Sequence, residues 1–161
     1  MGRRRKLPYR EGTWFSVPLT PSGYAIGIVS RMDGKGTVWG YFFGPVRGSS
    51  PVPEDIQNLG SQDAAASYMF GDLGLLDGDW PVLCDSEDWR REDWPLPAFV
   101  RTSPEDGWAF KIVYSDADLS LISEEPCSLD LADELPPDLL DGSGAIEIML
   151  SRQLVGVPKT L

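Results

Sequence analysis

The sequence predicts an α+β fold. It reads as a single domain built on a strongly curved antiparallel sheet, or a small partly open barrel, opened by a three-strand meander. Three observations predict this. Residues 12–44 hold three apolar stretches separated by two tight-turn sequences. Gly27 and Gly40 fall inside two of those stretches, where glycine marks a bend or the close approach of a neighbouring ring. Residues 143–155 carry apolar side chains at helical spacing near the end of the chain.

The elements follow in order. Residues 1–11 hold Arg3, Arg4, Arg5, Lys6 and Arg10 against Glu11 and read as a flexible basic arm, with residues 12–157 forming the domain. In residues 13–19, Phe15, Val17 and Leu19 share one face, and Pro18, which lacks an N–H, predicts an edge strand or a strand end. Thr20-Pro21-Ser22-Gly23 is a turn sequence. In residues 24–32, Tyr24, Ile26 and Ile28 alternate with Ala25, Gly27 and Val29. Asp33-Gly34-Lys35-Gly36 makes the next turn. Residues 37–43 are apolar on both faces and predict a strand covered on both sides. A short helix is expected near 53–59, where Pro53 and acids suit a first turn and Gly60 a stop.

Residues 64–71 and 80–83 predict further strands, joined by a turn-rich stretch over 72–79. Residues 97–101 and 108–114 predict a hairpin with its turn at 103–107; Trp108, Phe110, Ile112 and Tyr114 share one face. Leu119, Leu121 and Ile122 extend a strand. Residues 129–140 have helical spacing but are broken by Pro136 and Pro137. Over 143–155, Ile146, Met149, Leu150 and Leu154 line one helical face, with Ser143 as N-cap. Length and spacing favour helix over strand there.

Composition narrows the function classes. The chain has 161 residues and a formal charge of −11. Five of its 14 basic residues lie in the first eleven positions, leaving nine basic against 24 acidic residues in the remainder. Between Asp116 and Asp141 stand nine carboxylates and no Lys or Arg. Such a surface repels nucleic acid and anionic lipid and attracts a basic protein. The absence of histidine removes His-based zinc sites and His-dependent nucleophile pairs. Cys84 and Cys127 are far apart in no metal or redox motif and read as two buried thiols. No stretch has the length of a membrane span, and the basic start is followed by no long apolar run, so a cytoplasmic protein is expected.

No carboxylate pair is selected by spacing, and no phosphate-binding or nucleophile motif is present. No catalytic, cofactor or metal site is therefore expected. Trp14, Trp39, Trp80 and Trp108 sit in strands and read as core. Trp89 and Trp94 lie in a polar, charged segment that no strand pattern explains. They are either lids folded over the sheet or part of a binding surface. The expected partner-binding residues are Asp88, Trp89, Asp93 and Trp94, with Asp116, Asp118, Glu124 and Glu125 as steering charge.

Several stretches together resemble a known family. They are EGTWFSVPLTPSGYAIGIVSR at 11–31, GYFFGP at 40–45, GDLGLLDGDWPVL at 71–83, DWPLPAFVR at 93–101 and SGAIEIMLSRQL at 143–154. In this order they resemble the immunity protein 26 family of bacterial polymorphic-toxin systems, over roughly residues 10–155. The resemblance implies an α+β domain that binds and neutralises a cognate protein toxin without catalysis. A nuclease toxin with a basic substrate cleft fits the acidic body. The alternatives are a metal-dependent phosphoester hydrolase, and an adaptor or structural module of a phage or defence system.

Overall fold

The computed structural model describes residues 6–156. Its first sheet contains β1 (Thr13–Pro18), β2 (Tyr24–Met32), β3 (Thr37–Arg47), β4 (Ala66–Gly71) and β5 (Val82–Asp85), in the order β4-β3-β2-β1-β5. All neighbours in it are antiparallel. The second sheet is an antiparallel meander of β6 (Phe99–Ser103), β7 (Trp108–Tyr114) and β8 (Leu121–Cys127). Three helices accompany them: α1 (Leu73–Asp77), α2 (Leu129–Ala132) and α3 (Ser143–Leu154). The expected helix near 53–59 is a single 3-10 turn, Pro53–Ile56, followed by another at Ser61–Asp63.

Alternation along the meander sends side chains to two different cores. Phe15, Val17, Ala25, Val29, Val38, Phe42 and Phe70 face α3, which lays Ile146 and Leu150 on them. Both helix residues are 0% exposed, which confirms the apolar stripe expected at 143–155. Ser143 opens that helix; Gly142 occupies the N-cap position instead. Trp80 completes this core, stacked on Phe15 with ring centroids 5.6 Å apart and planes at 6°. Its indole N–H donates to Glu147 Oε1 at 2.8 Å, which satisfies the one polar atom of a fully buried ring.

On the opposite face, Trp14, Ile26, Ile28 and Phe43 are covered by the segments around 56–64 and 83–94. Farther along that face, Trp39 and Met69 meet Phe99, Ile112 and Leu119 of the second sheet and its loop. The strand β3 is thus buried on both sides, as its unbroken apolar run predicts. Pro18 ends β1 at its pairing with Tyr24, beyond the stretch that pairs with β5.

The expected strongly curved sheet or barrel is not what forms: neither sheet is closed or strongly curled. The two interior glycines make room for rings. A Cβ on Gly27 would lie 2.4 Å from the Phe15 ring, and one on Gly40 would lie 2.9 Å from both the Phe70 ring and the Ile28 carbonyl. Their glycines are needed for close approach, and the sheet needs no closure because α3 and the second sheet cover it.

Two further expectations are corrected. Trp108 is 38% exposed, because it begins β7 at the hairpin end, beyond the cluster that buries Ile112. Both cysteines are free thiols, as expected, but they are half-buried where full burial is expected. Of the expected arm over 1–11, residues 1–5 lie outside the described residues; Leu7 and Tyr9 pack on the α3-side core, and the Tyr9 hydroxyl donates to Asp72 Oδ2 at 2.7 Å.

Candidate functional site

A cleft of about 870 Å³ opens on the Trp14 face of the five-stranded sheet. One wall is the pair of 3-10 turns between Pro53 and Gln62; the other is the end of β5 and the loop through Asp88. Trp14 and Trp94 form its floor, at 4% and 7% exposure.

Local chemistry fixes each wall. In the first, Asp55 Oδ2 accepts from the Val52 N–H at 2.8 Å, and its other oxygen pairs with Arg47 at 3.0 Å. Ile56 and Leu59 then pack on the aromatic cluster below. Asn58 takes a left-handed backbone with φ of 66°, a conformation asparagine tolerates. In the second wall, β5 pairs with β1, and Thr13 Oγ1 donates to Asp85 Oδ1 at 2.6 Å. The Ser86 N–H donates to the Gly12 carbonyl at 2.8 Å, which turns the chain outward after the strand.

The floor is held from behind. The ladder of β2 and β3 is irregular between Val29 and Arg31, so Ser30 is an extra residue. Such a bulge re-aims side chains, and here Ser30 and Arg31 both reach the Trp94 carbonyl, at 2.7 Å and 3.1 Å. Arg31 is 3% exposed and also donates to the Arg91 carbonyl at 3.3 Å and to Asp116 at 3.2 Å. The Tyr41 hydroxyl donates to the Pro95 carbonyl. Burial pushes that hydroxyl's pKa up against the pull of Arg31, so it stays a donor. Arg91 closes the arrangement with a two-point ion pair to Glu11, at 2.7 Å and 2.5 Å.

The rim is anionic. Glu54, Asp85, Glu87, Asp88 and Asp93 line the cleft, and among the described residues no Lys or Arg does. Asp85 pairs with Arg10 at 3.1 Å. Among the described residues the other four make no ion pair. Cys84 also lines the cleft. Burial pushes its thiol up, and Asp85, Glu87 and Glu54 push the same way, so at neutral pH it is a protonated thiol and a poor nucleophile. Among the described residues no group of three or more His, Cys, Asp or Glu side chains converges as metal ligands would.

The expected partner-binding residues divide between two regions. Asp88, Asp93 and Trp94 come together in the cleft. Trp89 is half-buried behind it, stacked on Trp94 at 6.1 Å between ring centroids. It also covers Gly12, whose φ of 88° and 3.1 Å clearance from the indole leave no room for a side chain. Asp116 is the outer partner of Arg31. Asp118 accepts from Ser120, which holds its carboxyl below the usual range. Glu124 pairs with Arg101 at 3.2 Å, and Glu125 stands opposite Lys111 in the second sheet. Sequence reasoning missed Glu54, Glu87 and the 53–62 wall, and it missed Arg31, which the pattern of β2 presents only as one residue of a strand.

Comparison with known proteins adds one match. The family model described as immunity protein 26 matches residues 10–107, more than half of the chain. That span holds the five-stranded sheet, both cleft walls and the 91–94 segment, and it ends before β7, β8 and α3. Neither the curated proteins nor the solved structures yield a match.

Proposed function

The chain belongs to the immunity protein 26 family, which implies a toxin-neutralising role, and we propose that it neutralises its cognate toxin by binding alone, through the acidic cleft. The observation that carries this reading is one concave surface whose charged lining, among the described residues, is entirely carboxylate and whose floor is aromatic. Four carboxylates around a cleft that make no ion pair among the described residues attract a cationic surface over the range of a Debye length, about 8–10 Å at ordinary ionic strength. Attraction of that kind raises the rate of encounter and sets orientation. The partner that fits is a toxin domain with a basic active-site cleft, such as a nuclease, which the immunity protein blocks by occupying the substrate's place. Catalysis is not required of it, and the one thiol in the cleft is held protonated.

Among the described residues no helix is long and apolar enough to cross a membrane. A cytoplasmic site of action, where a nuclease toxin meets its substrate, is part of the proposal.

The test is co-expression with a candidate toxin from a neighbouring gene. Wild-type protein is expected to restore growth and to co-purify with the toxin. The triple variant E87Q/D88N/D93N, which keeps the shape and removes the charge, is expected to lose rescue at limiting expression. Failure of the wild-type protein to restore growth against any adjacent toxin contradicts the reading.

A further inference from the structure

A second concave feature lies where the two sheets meet. It is a hollow of about 220 Å³, with Met69 and Leu119 at its base, Leu139 and Leu140 at its mouth, and Asp33 and Asp138 in its lining. The base residues are buried, whereas Leu139 and Leu140 are 59% and 62% exposed. Leu121, also 59% exposed, stands opposite Tyr114, another residue of the lining. Leu139 and Leu140 form an apolar mouth to this small hollow in an otherwise acidic region, and Leu121 is exposed on the strand next to its Tyr114 wall.

Leu119 is held at the base at a cost. Its φ is 58°, a left-handed conformation that disfavours any residue with a Cβ. Hydrogen bonds within the loop keep it there: the Leu119 N–H donates to the Ser115 carbonyl at 2.9 Å, and the Ser115 N–H to the Ser120 carbonyl at 2.8 Å. Backbone strain of this kind persists where the surroundings over-determine it, and it clusters at contact sites.

Size and charge select the occupant. The hollow is below the roughly 300 Å³ at which small-molecule sites begin, so it suits one side chain. The surrounding segment from Asp116 to Asp141 has nine carboxylates and no cation. Arg101, which reaches in from β6, is already shared between Glu124 at 3.2 Å and Asp138 at 2.8 Å. A second copy of this chain would set acid against acid, and a phosphate-bearing ligand would be repelled. A cationic protein segment with an apolar tip matches both properties.

We propose that this hollow is a second docking point for the cognate toxin, taking one apolar side chain from a toxin segment that carries Lys or Arg. The inference rests on the toxin-binding role proposed above. It places a contact in the part of the chain beyond the matched stretch, where Tyr114, Leu119, Leu139 and Leu140 lie. A buried apolar anchor inside a polar rim is the pattern of an interface hot spot and acts mainly on the dissociation rate.

The test measures association and dissociation rates of the co-expressed toxin domain for wild type, L139S/L140S, Leu121→Ser and the cleft variant E54Q/D88N. All the changed leucines are exposed, and an unchanged melting temperature confirms folding. L139S/L140S is expected to raise the dissociation rate at least tenfold and to leave the salt dependence of association unchanged. Leu121→Ser is expected to act in the same direction, less strongly. E54Q/D88N is expected to slow association. Wild-type dissociation rates for both leucine variants overturn the second docking point and leave the cleft reading standing. A wild type that fails to bind the toxin overturns both. A wild-type dimer that L139S/L140S converts to monomer identifies a second copy as the occupant and also overturns the proposal.

Discussion

Arg31, buried in the second strand of the large sheet, donates to the backbone carbonyl of Trp94 at 3.1 Å, across 63 residues of sequence. The same side chain reaches the Arg91 carbonyl and the Asp116 carboxylate. One guanidinium thus ties the 91–94 segment, and with it the floor of the cleft, to the sheet. Its planar fork is what allows several acceptors at fixed angles, and a lysine cannot reproduce it.

Arg31→Ala is therefore expected to destabilise the protein by about 2–4 kcal/mol, since it removes several charge-assisted hydrogen bonds at once and leaves a void in a buried site. Arg31→Lys should recover only part of that loss. Denaturant unfolding followed by tryptophan fluorescence checks both, and Trp94 becoming more accessible to a quencher is the accompanying sign. A loss within about 0.5 kcal/mol for the alanine variant contradicts the bracing role.

Gly27 separates β2 from the Phe15 ring, with 2.4 Å available where a Cβ would stand. Gly27→Ala is expected to cost about 1–3 kcal/mol by overpacking. Gly48→Ala, with no atom within 4 Å of its added Cβ, is the control and should stay within about 0.5 kcal/mol. Thermal melts of the two variants separate ring clearance from a general glycine effect.

The sequence shows much of this scaffold and less of its site. The meander over 12–44 is legible because its turns fall between strands of clear alternation, and α3 because Ile146 and Leu150 recur at helical spacing. The roles of Gly27 and Gly40 are only half legible: a bend and a ring contact leave the same mark in a sequence, and the Phe15 ring at Gly27 and the Phe70 ring at Gly40 decide it. Trp89 and Trp94 stand out as aromatics in a polar segment, which points to one side of the cleft. The opposite side is hidden. Glu54 joins Asp88 only because Ile56 and Leu59 fold onto the cluster around Phe43, a long-range packing event with no local pattern. Arg31 is hidden for a similar reason, since a bulge and not the strand's alternation aims it.

Cys84 gives a pH-dependent prediction. Burial, and then the carboxylates beside it, raise its pKa, so the reactive thiolate is scarce at neutral pH and grows as pH rises through the raised value. Alkylation of Cys84 is expected to be slower than that of a free thiol at neutral pH and to accelerate toward alkaline pH. E87Q should speed it at neutral pH by removing one of the charges. Mass spectrometry of the modified peptide over a pH series reads this directly. Alkylation of Cys84 at the free-thiol rate at neutral pH contradicts the assignment.

The most direct test of the central claim, that the acidic cleft captures the toxin, is the association rate of the purified toxin domain as a function of salt. For wild type the rate should fall by about tenfold or more from low to high salt. E87Q/D88N/D93N should start slower and show a shallower slope, while its fold and melting temperature are retained. An association rate that ignores salt, or that the triple variant leaves unchanged, contradicts the claim.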